Sequence, residues 1–309
     1  MTSQSQPAGG VRGSEAALAP EFRPQAAPSD FEVDRAIAAY IPLLEACYAK
    51  ANQRPFVFPP GYESVAEIRA SITEMTEAAA ADPPVVREAV QNDVAAAQAA
   101  AADPGSFGFV IREQATGAVL VCIRGTQTPR EWLANFTAVP SSFSLVPGFG
   151  QVHLGFERMQ RSVRDSIAGG LNAVPANARI TVVGHSLGGA MAILAAVDLR
   201  RNFARTNLDV CTFGGPRVGK VDFRRSFDGE IARCYRVTNQ FDIVPHVPTL
   251  ITGWNHVGEE IEVDGNVQSP HSLDAYLRGL RNIGRPREVS ISGVAVEALA
   301  AGVVSVKMP

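Results

Sequence analysis

From Val119 onward the chain alternates short, uniformly apolar runs with longer segments whose apolar residues recur at helical spacing. Val119-Leu-Val-Cys-Ile123, Ile180-Thr-Val-Val183, Val210-Cys-Thr-Phe213 and Cys234-Tyr-Arg-Val-Thr238 have the length and β-branched content of buried strands. Val152 to Leu171 and Gly189 to Arg201 have the period of helices. Upstream, Phe107-Gly-Phe-Val-Ile-Arg112 and Val119 to Ile123 flank the turn Ala115-Thr-Gly117 and read as a hairpin. Strands without a polar face, alternating with helices, predict an α/β fold: a mostly parallel sheet covered on both faces.

The pattern is different towards the ends. Residues 1–29 are rich in Pro, Gly, Ser and Ala and predict a disordered arm. A helix is expected from Phe31 to Tyr48, with Ser29 or Asp30 as its N-cap. Residues 63–103 are alanine-rich. Ser71-Ile-Thr-Glu74 carries a capping-box pattern, and Asp82-Pro83-Pro84 divides the stretch into two predicted helices. No linker interrupts 30–285, so a single domain is expected there, with 286–309 a C-terminal extension packed on it. Within that extension Ile291 to Val306 is short of a membrane span and contains Glu297, which favours a docked segment.

Composition narrows the function. The 309 residues are 46% apolar and 19% charged, with a net charge of −3. That is enough to build a core, and too balanced for a nucleic-acid binder or a cationic membrane-surface protein. The four cysteines form no CxxC pair, so zinc and thioredoxin-type chemistry lack support; Cys122 and Cys211, in strand-like runs, read as small buried hydrophobes. The N-terminus has no apolar core after a basic start, from which a cytoplasmic location is expected.

The sharpest chemical signal is Gly184-His185-Ser186-Leu187-Gly188, between a predicted strand and a predicted helix. This is the frame of a nucleophile elbow: glycines on either side allow a sharp reversal, and the serine projects at the strand's carboxyl end over a helix N-terminus. A serine hydroxyl needs a base, and the base needs an orienting carboxylate. Downstream histidines are His246, His256 and His271. His271, in a turn leading into a helix, is the preferred base; His256 reads as a structural histidine, and His246 sits beside Pro245 and close to Pro248. Asp242 follows the strand ending at Thr238 and is the preferred acid, whereas Asp222 and Asp228 lie among Lys220, Arg224 and Arg225 on a charged face. Ile123-Arg-Gly-Thr126 follows another strand end and can supply the Thr126 N–H, with that of Leu187, as an oxyanion hole. Gly125 is expected to let the backbone approach the substrate closely. Trp132, Leu133 and Phe136 share one face of a predicted short helix, which suits either core packing or a lid.

With these residues in place, the chain resembles the class 3 lipase family, the fungal-type lipases of the α/β-hydrolase fold. The matching blocks are Val121-Cys-Ile-Arg-Gly-Thr126 with Trp132, Val152-His-Leu-Gly-Phe156, Gly184-His-Ser-Leu-Gly-Gly189, Thr212-Phe-Gly-Gly-Pro-Arg-Val-Gly219, Asn239 to Pro245, and His271-Ser-Leu-Asp-Ala-Tyr276. The resemblance implies Ser186, Asp242 and His271 as a triad, Thr126 and Leu187 as the oxyanion hole, 127–138 as a lid, and structural roles for His153, Pro216-Arg217 and His256. It implies no metal or organic cofactor. The expected function is hydrolysis of acylglycerols or other lipophilic esters, with the substrate met at an oil–water or membrane interface. Alternatives are a soluble carboxylesterase, a feruloyl-type esterase, a phospholipase A1 or, more remotely, an inactive lipid-binding hydrolase fold. A serine peptidase shares the chemistry without a supporting sequence feature.

Overall fold

The computed structural model describes residues 28, 30–71, 88, 91, 95, 101–126, 138–265 and 268–283. The N-terminal arm, most of the alanine-rich stretch, Trp132, Leu133 and Phe136 of the expected lid, and the C-terminal extension lie outside the described residues.

The first helical segment begins at Val33–Arg35, widens into a π-helical stretch over Ala36–Tyr40, and continues as α1, Ile41–Ala51. The strands of the central sheet are β1 (Tyr62–Arg69), β2 (Ser106–Glu113), β3 (Val119–Ile123), β6 (Ile180–His185), β7 (Leu208–Phe213), β8 (Arg233–Asn239) and β9 (Glu259–Val263). They lie in the order β1-β2-β3-β6-β7-β8-β9. The β1–β2 and β2–β3 pairs are antiparallel, and every pair from β3 to β9 is parallel. Two short strands, β4 (Pro140–Ser142) and β5 (Gln151–His153), pair separately. The remaining helices are α2 (Leu154–Leu171), α3 (Leu187–Asn202), α4 (Val221–Glu230) and α5 (Leu273–Arg281).

Side-chain alternation along the strands explains the two-sided cover. Val119, Val121 and Ile123 of β3 join Val182 of β6 and the buried faces of α2 and α3 in one core. Leu120 and Cys122 join Val183, Phe213 and Val237 in the other, closed by α1 and α5. Both cores are apolar, so the strands carry apolar residues at successive positions instead of alternating with polar ones. The expected α/β-hydrolase fold, with its mostly parallel sheet flanked by helices, is the fold observed.

Two expectations on local structure are corrected. Residues 63–69, placed with the alanine-rich helical stretch, belong to edge strand β1. Its backbone pairs with β2 from Tyr62↔Glu113 to Arg69↔Ser106, and tertiary pairing overrides the weak helical preference of Glu and Ala there. The helix expected from Val152 starts at Leu154. Residues 151–153 pair with β4, and the His153 side chain caps α2 by accepting the Phe156 N–H. All four cysteines are buried free thiols, so no disulfide braces the fold.

Candidate active site

The chain turns sharply at Ser186. It is the first residue beyond β6 and the N-cap of α3, with φ +59° and ψ −130°. A side chain at positive φ is strained, and here the surroundings hold it. The Ser186 N–H donates to Phe213 O at 2.9 Å, and its carbonyl accepts from the Gly189 N–H at 2.8 Å. The need for glycine on either side is steric. A Cβ at Gly184 would lie 2.1 Å from Gly188 O, and one at Gly188 would lie 2.2 Å from Ile123 O. Gly125 is required for a related reason, but not the one expected from the sequence. A Cβ there would meet Ser186 Cβ at 2.6 Å and His185 O at 2.7 Å, so it packs against the elbow itself.

His271 and Asp242 come together from separate loops. His271 Nδ1 lies 2.6 Å from Asp242 Oδ2, and the carboxylate is buried. Tyr276 Oη donates to the same oxygen, and the Val244 N–H donates to Oδ1 at 3.0 Å. Burial and the neighbouring Asp242 hold the Tyr276 phenol well above its usual pKa, so it remains a donor. The loop carrying His271 is tied down by Asn239, whose side-chain amide donates to Pro270 O at 2.7 Å and accepts the Gly265 N–H at 3.0 Å. Gly214, at φ +60°, makes room: a Cβ there would lie 2.9 Å from Asp242 Oδ2 and 3.1 Å from His271 Cε1. With Nδ1 turned to the carboxylate, Nε2 is the nitrogen left to take a proton. Ser186 Oγ and His271 Nε2 are both buried and have no hydrogen-bond partner among the described residues.

Tyr48, on α1, reaches the elbow without any signal in the residue pattern. Its hydroxyl lies 2.7 Å from His185 Nδ1 and accepts the Gly125 N–H at 2.9 Å. His185 Nε2 is 2.9 Å from His271 O. A carbonyl only accepts, so Nε2 bears the proton, Nδ1 is bare, and Tyr48 donates to it. Burial holds the His185 pKa well below its usual value, in keeping with a neutral ring. A single tyrosine in an amphipathic helix looks like core, and only the fold brings Tyr48 to the elbow.

The other candidates have structural partners. His256 donates from Nε2 to Pro245 O at 2.7 Å, and burial pushes its pKa down to about 3. His246 is exposed at the end of a short 3₁₀ turn, Val244–His246. Asp222 accepts the Gln151 and Phe223 N–H groups, and Asp228 accepts the Gly258 N–H. Arg217 donates to Pro248 O, fixing the loop that follows Asp242. Thr126 and Leu187 are buried beside the elbow. A cleft of about 670 Å³ opens over this region, with Ala46, Phe56 and Val57 on one side and Thr126, His185 and His271 on the other.

Residues 120–252 match the model of the family described as lipase (class 3). The chain is 33% identical over 165 residues to a secreted mono- and diacylglycerol lipase of Fusarium solani, covering 52% of this chain and 48% of that protein. It is 34% identical over 179 residues to a lipase of Rhizomucor miehei, covering 56% and 48%. The chain spans about half the length of these curated relatives. The solved structure of the Rhizomucor miehei triacylglyceride lipase aligns with TM-score 0.58 and 25% identity, over 77% of this chain and 82% of that one. The cytoplasmic location expected from the N-terminus is overturned: relatives in Fusarium solani and Penicillium cyclopium are secreted lipases, which points outside the cell. Over residues 120–252 this chain is similar to the class 3 lipase family.

Proposed function

We propose that the protein is a serine carboxylic-ester hydrolase, a lipase acting on acylglycerols, and that residues 30–285 form its catalytic domain. The observation that carries the proposal is a strained serine at the strand-to-helix turn together with a histidine held by a buried carboxylate. Among the described residues Ser186 Oγ and His271 Nε2 have no hydrogen-bond partner, as a nucleophile and a base require, while Nδ1 is engaged by Asp242. His271 takes the Ser186 proton as Oγ attacks the ester carbonyl. The Thr126 and Leu187 N–H groups receive the oxyanion. His271 returns the proton to the departing alcohol, and water then releases the acid from the acyl-enzyme. The partner is a lipid or ester substrate, and the apolar side chains of the cleft suit its acyl chain.

The test is the initial rate on p-nitrophenyl esters from acetate to palmitate, below and above the concentration at which each ester disperses. Wild type should prefer long chains, and Ser186→Ala should lose about 10⁴-fold or more in kcat. A preference for short, soluble esters would instead identify a carboxylesterase. Equal inactivity of both proteins on every ester would remove the triad assignment.

A further inference from the structure

Arg124 is fully buried at the end of β3, one residue from Gly125. Its Nε donates to Ser106 O at 2.7 Å and its Nη1 to Gly125 O at 2.6 Å. The guanidinium lies 4.8 Å from the centre of the Phe107 ring, and Nη2 has no hydrogen-bond partner among the described residues. No described carboxylate pairs with it. The nearby Asp103 is engaged by Arg69 at 2.8 and 3.0 Å. Two other groups close enough to influence its charge are Cys47 and Tyr48, and burial keeps both protonated. A guanidinium does not surrender its proton inside a protein, so among the described residues this is a buried positive charge without a counter-ion, an arrangement that works against stability.

The place where that charge is spent suggests why it is kept. The carbonyl of Gly125 and the N–H of Thr126 belong to one peptide group. A cation bonded to the oxygen of an amide draws electrons towards that oxygen and strengthens the N–H as a donor. The preceding peptide is held too, because the Gly125 N–H is fixed on Tyr48 Oη. The second donor is supported more weakly: among the described residues, the carbonyl that shares a peptide with the Leu187 N–H accepts from the neutral Gly189 N–H, at 2.8 Å.

We propose that Arg124 is the positioning residue of the oxyanion hole, polarising the Gly125–Thr126 peptide so that its N–H binds the developing negative charge. The proposal rests on Thr126 being an oxyanion donor. It assigns Arg124 a role through that peptide and no contact with substrate.

The test uses a long-chain alkyl trifluoromethyl ketone labelled with ¹³C at the carbonyl. Ser186 Oγ adds to the carbonyl carbon, the serine proton passes to His271 Nε2, and the carbonyl oxygen becomes the oxyanion. The ¹³C shift followed against pH reports the pKa of that oxygen. Among the described residues, the titratable groups at this cleft are His271 with Asp242, His185 with Tyr48, and Glu45 and Arg54. In Arg124→Met the oxyanion pKa should rise by about one unit or more, and kcat should fall by at least about ten-fold with KM little changed. Arg124→Gln drops the charge while keeping a donor; it carries the same expectation and serves if the Met variant does not fold. Arg124→Lys, which keeps the charge, should recover part of both losses. An oxyanion pKa equal to that of wild type in folded Met or Gln variants would overturn the proposal, whether or not kcat falls. Failure of wild type itself to form an ionised adduct would instead overturn the assignment of the site.

Discussion

The two halves of the candidate site are held by different physics. On the nucleophile side, Gly184 and Gly188, which flank Ser186, are packed so closely that an added Cβ would lie 2.1–2.2 Å from a carbonyl oxygen. On the base side, Asp242 and His271 sit on loops and are placed by side-chain hydrogen bonds from Tyr276, Asn239 and His185. The first arrangement tolerates no added bulk. The second should lose precision by degrees when a single bond is removed. The comparison teaches that the nucleophile is positioned as part of folding, whereas the base is positioned by a network that can be altered without unfolding the protein.

The largest expected effect lies on the nucleophile side. Gly188→Ala puts a methyl group against Ile123 O and should destabilise by about 3 kcal/mol or more, abolishing the soluble folded protein or lowering its urea midpoint sharply. A well-folded Gly188→Ala protein would break the comparison at its root. Next comes Asn239→Ala. It strips Pro270 O and the Gly265 N–H of their Asn239 partner, which should cost about 1–3 kcal/mol. The protein should still fold, with kcat down about ten-fold as the His271 loop loosens. Thermal melts and steady-state kinetics on the same sample separate the two effects. Tyr276→Phe removes one of the donors on Asp242 and should lower kcat by a few-fold to about ten-fold, with KM unchanged.

The elbow was legible because its requirements are local. Glycines two residues either side of a serine, between an apolar run and a helical pattern, are steric needs written within five positions. Asp242 and His271 were legible for a weaker reason: each follows a predicted strand or precedes a predicted helix, where the sheet's carboxyl ends gather loops. Tyr48 and Arg124 were not legible as site residues. Their importance depends on partners 137 residues away at His185 and on the buried Ser106 carbonyl, and neither contact leaves a periodic trace. Edge strand β1 was missed because its register is imposed by β2, while its own residues, Glu63 to Arg69, carry no strand alternation.

The smallest effect concerns pH. His256, with a folded pKa of about 3 against an ordinary 6.5, stays neutral where the unfolded chain is protonated. The unfolded state then binds more protons, so this group makes stability fall as pH drops from about 6.5 towards 3, by up to about 1.4 kcal/mol per pH unit. His185 acts with the same sign. Replacing His256 by Gln should flatten that slope and leave activity at neutral pH nearly unchanged, as read from urea midpoints at pH 7 and in the mildly acidic range. An equal slope in the variant would show that His256 is not held neutral.

The most direct measurement is reaction with a long-chain alkyl phosphonate p-nitrophenyl ester, following p-nitrophenol release and mapping the modified peptide by mass spectrometry. Stoichiometric release and a single adduct on Ser186 are expected in wild type, with His271→Ala reacting about 10³-fold more slowly. An adduct on another residue, or an undiminished rate in His271→Ala, would contradict the triad assignment.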